Sequence, residues 1–190
     1  MTVAVLTGVP GVGATTVADK ANEVLEERGA EYEVVSFGTE MLETARDKGL
    51  VEERDEMRKL PSEDQKRVQE TAGERIAERA EETNIMVDTH CTIKTPEGYL
   101  PGLPEWVLSS LQPDTVVLVE ADPDEILFRR LDDETRTRDM ENTEELATHQ
   151  DMNRNAAMSY ATLTGATVKL VENPDGGVEG AAEELAEALA

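Results

Sequence analysis

Positive charge is what this 190-residue chain has least of: 18 Lys and Arg stand against 42 Asp and Glu, a formal net charge of −24. A surface that wraps DNA or RNA neutralises phosphates with Lys and Arg, and docking on anionic lipid asks for the same cations. The balance therefore argues against both a nucleic-acid-binding and a membrane-surface protein. Any phosphate-bearing ligand must be held by a local device that overcomes the global field. Lysine is scarcer still, with 6 residues against 12 arginines. An acid-rich, lysine-poor surface suits a halophile's cytosol, where salt screens self-repulsion. The single cysteine, Cys91, excludes an intramolecular disulfide framework and a cysteine-based zinc site. No apolar run approaches the roughly 18 residues of a membrane span. The segment Met1 to Leu6 lacks the basic stretch of a secretion signal. The expectation is a soluble, intracellular protein of one domain, residues 1–190.

The apolar residues fall in short blocks. Val3 to Thr7, Tyr32 to Phe37, Ile85 to Thr89, Thr115 to Glu120 and Thr167 to Glu172 are β-rich runs without polar–apolar alternation, as expected of strands covered on both faces of a parallel sheet. Helical patterns lie between them. Val68, Ala72, Ile76 and Ala80 recur every four residues after a Ser62-x-x-Gln65 capping box. Asp122-Pro123 opens another helix, with proline at its first position. Asn142 or Thr143 starts a third, and Ala181, Ala182, Leu185 and Leu189 mark the last. Strand–helix alternation throughout predicts a three-layer α/β fold.

The strongest motif follows the first strand: Gly8-Val9-Pro10-Gly11-Val12-Gly13-Ala14-Thr15-Thr16. Its G-x-x-x-x-G-x-T spacing lets the backbone curl so that N–H groups point inward, and the helix N-terminus adds its dipole. Such a cradle holds a polyphosphate without net positive charge. Thr15 occupies the place of the hydroxyl that contacts Mg²⁺. Ala14 stands where a lysine ordinarily reaches the β- and γ-phosphates, so the missing charge must come from elsewhere.

Asp88 ends the third strand in Asp88-Thr89-His90, at the ligand edge of an α/β sheet, where it suits Mg²⁺ or its waters. Thr92 to Pro104 is rich in Pro and Gly; it walls a small-molecule pocket, with Lys94 reaching a phosphate, or is a rigid connection. Arg54 and Arg58, four apart, are placed on one helix face to grip a phosphate with forked donors. Arg129, Arg130, Arg136 and Arg138 put four arginines in ten residues, a cationic island suited to a small lid over a transferring phosphoryl group. His90 and His149 lie in no nucleophile constellation, Cys91 reads as a buried filler, and Trp106 as a residue packing a helix onto the sheet.

Taken in order, the loop Gly8 to Gly13, Phe37-Gly38-Thr39, Arg54-Asp55-x-Met57-Arg58-Lys59-Leu60, Asp88-Thr89-His90, Gly98 to Pro104 and Asp133-Glu134-Thr135-Arg136-x-Arg138-Asp139 closely resemble the archaeal-type adenylate kinases, over nearly the whole chain. The resemblance implies a P-loop nucleoside monophosphate kinase fold, with a five-stranded parallel sheet in the order 2-3-1-4-5, an AMP-binding helical region at 38–82 and a lid at 130–142. It implies the reaction Mg·ATP + AMP ⇌ 2 ADP in the cytoplasm, and a homo-oligomer, often a trimer. By position, Gly8 to Thr16 bind the ATP phosphates and Arg54 and Arg58 face AMP, with Thr39 near it. Arg136 and Arg138 are then the lid arginines, and Thr15 and Asp88 hold the metal. Two other readings stay open: a kinase for another nucleoside monophosphate, and an ATP-binding switch or assembly factor that uses no acceptor.

Overall fold

The computed structural model describes residues 1–132 and 141–190. In chain order the elements are β1 (Val3–Thr7), α1 (Ala14–Glu27), β2 (Tyr32–Ser36), α2 (Phe37–Asp47), a 3₁₀ helix (Arg54–Lys59), α3 (Ser62–Arg79), β3 (Asn84–Thr89), β4 (Thr92–Thr95), β5 (Gly98–Pro101), α4 (Glu105–Leu111), β6 (Thr115–Glu120), α5 (Pro123–Asp132), α6 (Thr143–Thr164), β7 (Thr167–Glu172) and α7 (Val178–Leu189). Five strands form a parallel sheet ordered β2-β3-β1-β6-β7, while β4 and β5 make a separate antiparallel hairpin. With the hairpin set aside, the five sheet strands run 2-3-1-4-5.

Strand β1 is buried at every position, which is why its sequence shows no alternation. Ala4 and Leu6 face the layer of α1 and α7, where Val17, Ala21, Leu25, Ala181 and Leu185 complete one core. Val3 and Val5 face the other layer, packing with Ile76, Leu103, Val107, Leu108 and Tyr160. A third, small cluster of Ala45, Val51 and Val68, joined by Met41, Leu42, Met57 and Leu60, holds α2, the 3₁₀ helix and α3 together.

Local chemistry sets the element ends, sometimes differently from expectation. The second strand stops at Ser36, whose side chain accepts a hydrogen bond from the Thr39 backbone N–H at 3.4 Å and so caps α2; Phe37 belongs to that helix. The Ser62–Gln65 capping box does not form. Pro61 is the N-cap, and the Gln65 amide reaches back to the Leu60 carbonyl at 2.8 Å. A capping box does form at α6, where the Asn142 N–H donates to the Glu145 carboxylate and the Glu145 N–H to the Asn142 side-chain oxygen. The largest departure is Arg54–Lys59, which winds as 3₁₀ rather than α. At about three residues per turn, positions four apart are offset by roughly a third of a turn, so Arg54 and Arg58 do not share a face.

Candidate active site

Strand β1 delivers the chain to Gly8, and the loop curls back on itself, with the Val12 N–H bonded to the Val9 carbonyl at 3.1 Å. Gly13 closes the loop at φ 87°, in the left-handed region that glycine enters without a Cβ penalty. It is the N-cap of α1 and has no side chain with which to cap it, nor has the first turn any acid. The first N–H groups of α1 are thus left for an anion, reinforced by the helix dipole. Gly8, Val9, Pro10, Gly11, Gly13, Ala14, Thr15 and Thr16 line one end of a cleft of about 870 Å³, within the range of small-molecule sites.

Asp88, at the end of β3, meets this loop. The Thr15 hydroxyl donates to its Oδ2 at 2.9 Å. Burial raises the Asp88 carboxyl above the ordinary carboxylate value, opposed by the Thr15 hydrogen bond and by the charge of His90. A hydroxyl and a carboxylate so close are hard oxygen donors of the kind that hold Mg²⁺ together with phosphate oxygens and water, so the pair fits that ion. Sequence reasoning gives His90 no site role, yet its ring enters the cleft lining and its Nδ1 lies 3.1 Å from the Gly8 carbonyl. That contact requires the proton on Nδ1. Cys91 is buried, with its thiol pushed up to about 12 by desolvation, and takes no part.

The far end of the cleft is built by α2, the 3₁₀ helix and α3 through Phe37, Gly38, Met41, Arg54, Met57 and Gln69. The Arg54 guanidinium lies against Gly38, where any Cβ would overlap it. Gln69 accepts a hydrogen bond from the Trp106 indole at 3.2 Å, and Lys66 caps that indole, 4.7 Å from the ring centre. Two residues expected here do not reach the lining. Arg58 and Thr39 are exposed and outside the lining. Lys94 must also be reassigned. Strand β4 carries it away from the cleft to Glu145 at 3.3 Å and Glu141 at 3.5 Å, while its neighbour Ile93 faces the cleft.

Arginines brace the loop from outside. Arg129 donates to the Val12 carbonyl at 3.2 Å, to the Asn173 carbonyl at 2.9 Å and to Asp175 at 2.7 Å; it also borders the cleft. Arg130 donates to the Pro10 carbonyl at 2.6 Å and to Glu141 at 2.8 Å. Arg136 and Arg138 lie outside the described residues. A second hollow, of about 460 Å³ between α5 and α6, offers a nucleotide little. Its charged lining is mostly acidic, Glu120 is already paired with Arg154, and Gln150 is tied at both amide ends to Ala121.

Comparison with known proteins agrees with this arrangement. A family model described as an AAA domain matches residues 7–147. An adenylate kinase of Methanocaldococcus jannaschii is 62% identical over 187 residues, covering 98% of this chain and 97% of its own length. Those of Methanopyrus kandleri and Methanococcus vannielii are 59% and 57% identical, again over 98% of this chain and 97% of theirs. Among solved structures, shikimate kinase from Acinetobacter baumannii superposes with a TM-score of 0.60 at 15% identity, over 100% of this chain and 93% of that one. Shikimate kinase from Bacteroides thetaiotaomicron follows at 0.54 and 16%, over 99% and 98%; at such identities the likeness is one of fold alone. Sequence kinship over nearly the full length, with a phosphate loop opening onto a second lobe of the same cleft, places this chain in the adenylate kinase family.

Proposed function

We propose that this chain transfers a phosphoryl group between ATP and AMP, Mg·ATP + AMP ⇌ 2 ADP, and so balances adenine nucleotides in the cytoplasm. The observation that carries the reading is the continuity of one cleft from the phosphate loop to Arg54 and Gln69. A donor and an acceptor fit there end to end, as in-line transfer requires.

Each part has a role. Backbone N–H groups of Gly8 to Thr16 take the phosphates of ATP, and Arg54 takes the phosphate of AMP, with Arg58 and Thr39 at the rim of that lobe. The AMP phosphate is itself the nucleophile, so the protein supplies none. Thr15 and Asp88 would hold Mg²⁺, which when bound would neutralise charge on the transferring group. Arg129 fixes the loop from behind, while Arg130, with Arg136 and Arg138 of a lid at 130–142, spreads the developing negative charge. Closure of that lid over the 38–82 lobe excludes water, which protects ATP from hydrolysis. We extend the reading to a homotrimer in a high-salt cytosol. It is supported by the acid excess and by the resemblance to archaeal-type members; no helix among the described residues is long and apolar enough to cross a membrane.

A coupled assay with AMP, CMP, UMP and GMP from low to multimolar salt tests this. The expected result is preference for AMP with activity kept or raised by salt. Preference for a pyrimidine monophosphate would give the other kinase reading instead, and loss of activity at high salt would remove the halophile. The switch reading predicts that protein loaded with a non-hydrolysable ATP analogue binds no AMP.

A further inference from the structure

The loop lacks its lysine at Ala14, and the two arginines behind it are not equivalent. Every nitrogen of the Arg129 guanidinium has an acceptor: Nε and Nη2 on Asp175, Nη1 on the Val12 carbonyl, and Nη2 also on the Asn173 carbonyl. Arg130 is different. Its Nε is held by the Pro10 carbonyl at 2.6 Å and its Nη1 by Glu141 Oε2 at 2.8 Å, but Nη2 is buried with no partner among the described residues. A buried guanidinium nitrogen left unpaired is costly, and the side chain is only 5% exposed. That nitrogen sits beside a phosphate cradle.

Glu141 keeps it there, and Glu141 is itself gripped from behind. His149, 3% exposed, places Nδ1 3.1 Å from Glu141 Oε1 and Nε2 3.3 Å from the Thr92 carbonyl. Both partners are acceptors, so only the doubly protonated ring serves both. The groups facing this histidine are Glu141 before α6, Arg130 beyond it on α5, Lys94 and Tyr99 from the hairpin, and Glu145 on α6. Lys94 touches both acids, and the Tyr99 ring lies 5.2 Å from the imidazole. With an imidazolium, three cations face two carboxylates, and the surplus positive charge adjoins the loop.

We propose that Glu141, backed by His149, is a positioning residue that holds Arg130 as the replacement for the cation missing at Ala14, with Nη2 kept open for a phosphate oxygen of the nucleotide. This rests on the phosphoryl-transfer reading above. The bonds from His149 and Arg130 outweigh the upward pull of burial and hold the Glu141 carboxyl at about 2, so Glu141 itself stays charged throughout the working range.

The test measures kcat and KM for ATP and AMP in the intact chain and in Glu141→Gln, Glu141→Asp and His149→Gln, with folding followed by thermal melting. Misplacing a catalytic cation is expected to lower kcat by roughly 10- to 100-fold in Glu141→Gln, with the KM for AMP within about twofold. Glu141→Asp should recover part of the loss, and His149→Gln should lower kcat in the same direction with the KM for AMP kept. A Glu141→Gln protein that folds and keeps kcat overturns the proposal, as does a His149→Gln protein that folds and keeps kcat. Should Glu141→Gln fail to fold, Glu141→Asp and His149→Gln decide the matter by the same kinetics. Should the unaltered chain bind nucleotides yet transfer nothing to AMP, the functional reading fails, and binding alone judges the positioning role. A non-hydrolysable ATP analogue should then bind Glu141→Gln or His149→Gln about 10-fold more weakly, with AMP unchanged, and equal binding overturns it.

Discussion

The two ends of the cleft are built on opposite principles. The phosphate-loop end grows out of the most buried strand of the sheet and is braced by Arg129, Arg130 and Asn173, all bonded to loop carbonyls. The acceptor end stands on a 3₁₀ helix with no buried residue and on a core of three buried side chains. The first presents backbone pinned by those side-chain bonds, the second an exposed arginine on an element with no buried residue, the kind that opens at low free energy. An enzyme that must release one of its two nucleotides without losing its geometry gains from such a division.

Breaking the loop end should cost most. Asp88→Asn is expected to lower kcat by about 100-fold or more in the coupled assay, through lost metal charge. Its melting temperature at neutral pH should nevertheless not fall. The folded-state pKa of Asp88 is raised by burial, so ionisation above that pKa opposes folding, and removing the charge removes the penalty. A large fall in melting temperature would show that the site is not pre-strained in this way.

Next in size is Arg54→Ala. Loss of one charge-assisted phosphate contact should raise the KM for AMP by roughly 10- to 100-fold, with ATP affinity unchanged. Arg58→Ala should do less, because the 3₁₀ winding turns it off the cleft face. Equal effects would mean that the segment rewinds as α-helix when AMP binds.

Stability sharpens the contrast further. Leu25→Ala, in the core between sheet and α1, should cost about 2–5 kcal/mol in global unfolding. Val68→Ala, in the small acceptor core, should cost about 1–2 kcal/mol and register mainly as faster hydrogen exchange in 41–60, with the sheet unaffected. Exchange rising equally in both regions would erase the distinction between the two ends. The smallest effect concerns acid. Glu141 has its pKa lowered from 4.5 to about 2, so its contribution to stability is full above about 4.5 and fades as pH falls toward about 2. Unfolding of the intact chain and of Glu141→Gln should therefore converge over that interval.

Much of this is legible without coordinates, and the legible part has a common cause. The five strands, the helix after the phosphate loop and the proline-led start of α5 depend on residues next to one another, or on a repeat of nearly four. The loop itself is a backbone motif, written in glycines. What the sequence does not show is the geometry of side chains whose partners lie far along the chain. Arg54 and Arg58 share a face only if their segment is α-helical, and it winds as 3₁₀ instead, with the Arg54 guanidinium against Gly38 and Met57 in the small core. Lys94 reads as a phosphate ligand because strand parity in an unrecognised hairpin is invisible; its pairing with Tyr99 across β5 turns both away from the cleft. His149 reads as an ordinary polar residue because Glu141 and Thr92 meet it only in the folded chain.

By itself, then, the sequence determined the layered parallel sheet, the phosphate cradle and the presence of enough arginine to serve it, since each follows from local conformation and periodicity. Tertiary structure alone decided which arginines border the cleft, which brace the loop, and which one is buried against Glu141. Those outcomes depend on contacts between α5, α6 and the hairpin, where charge is assigned by burial and by distance rather than by neighbours in the chain.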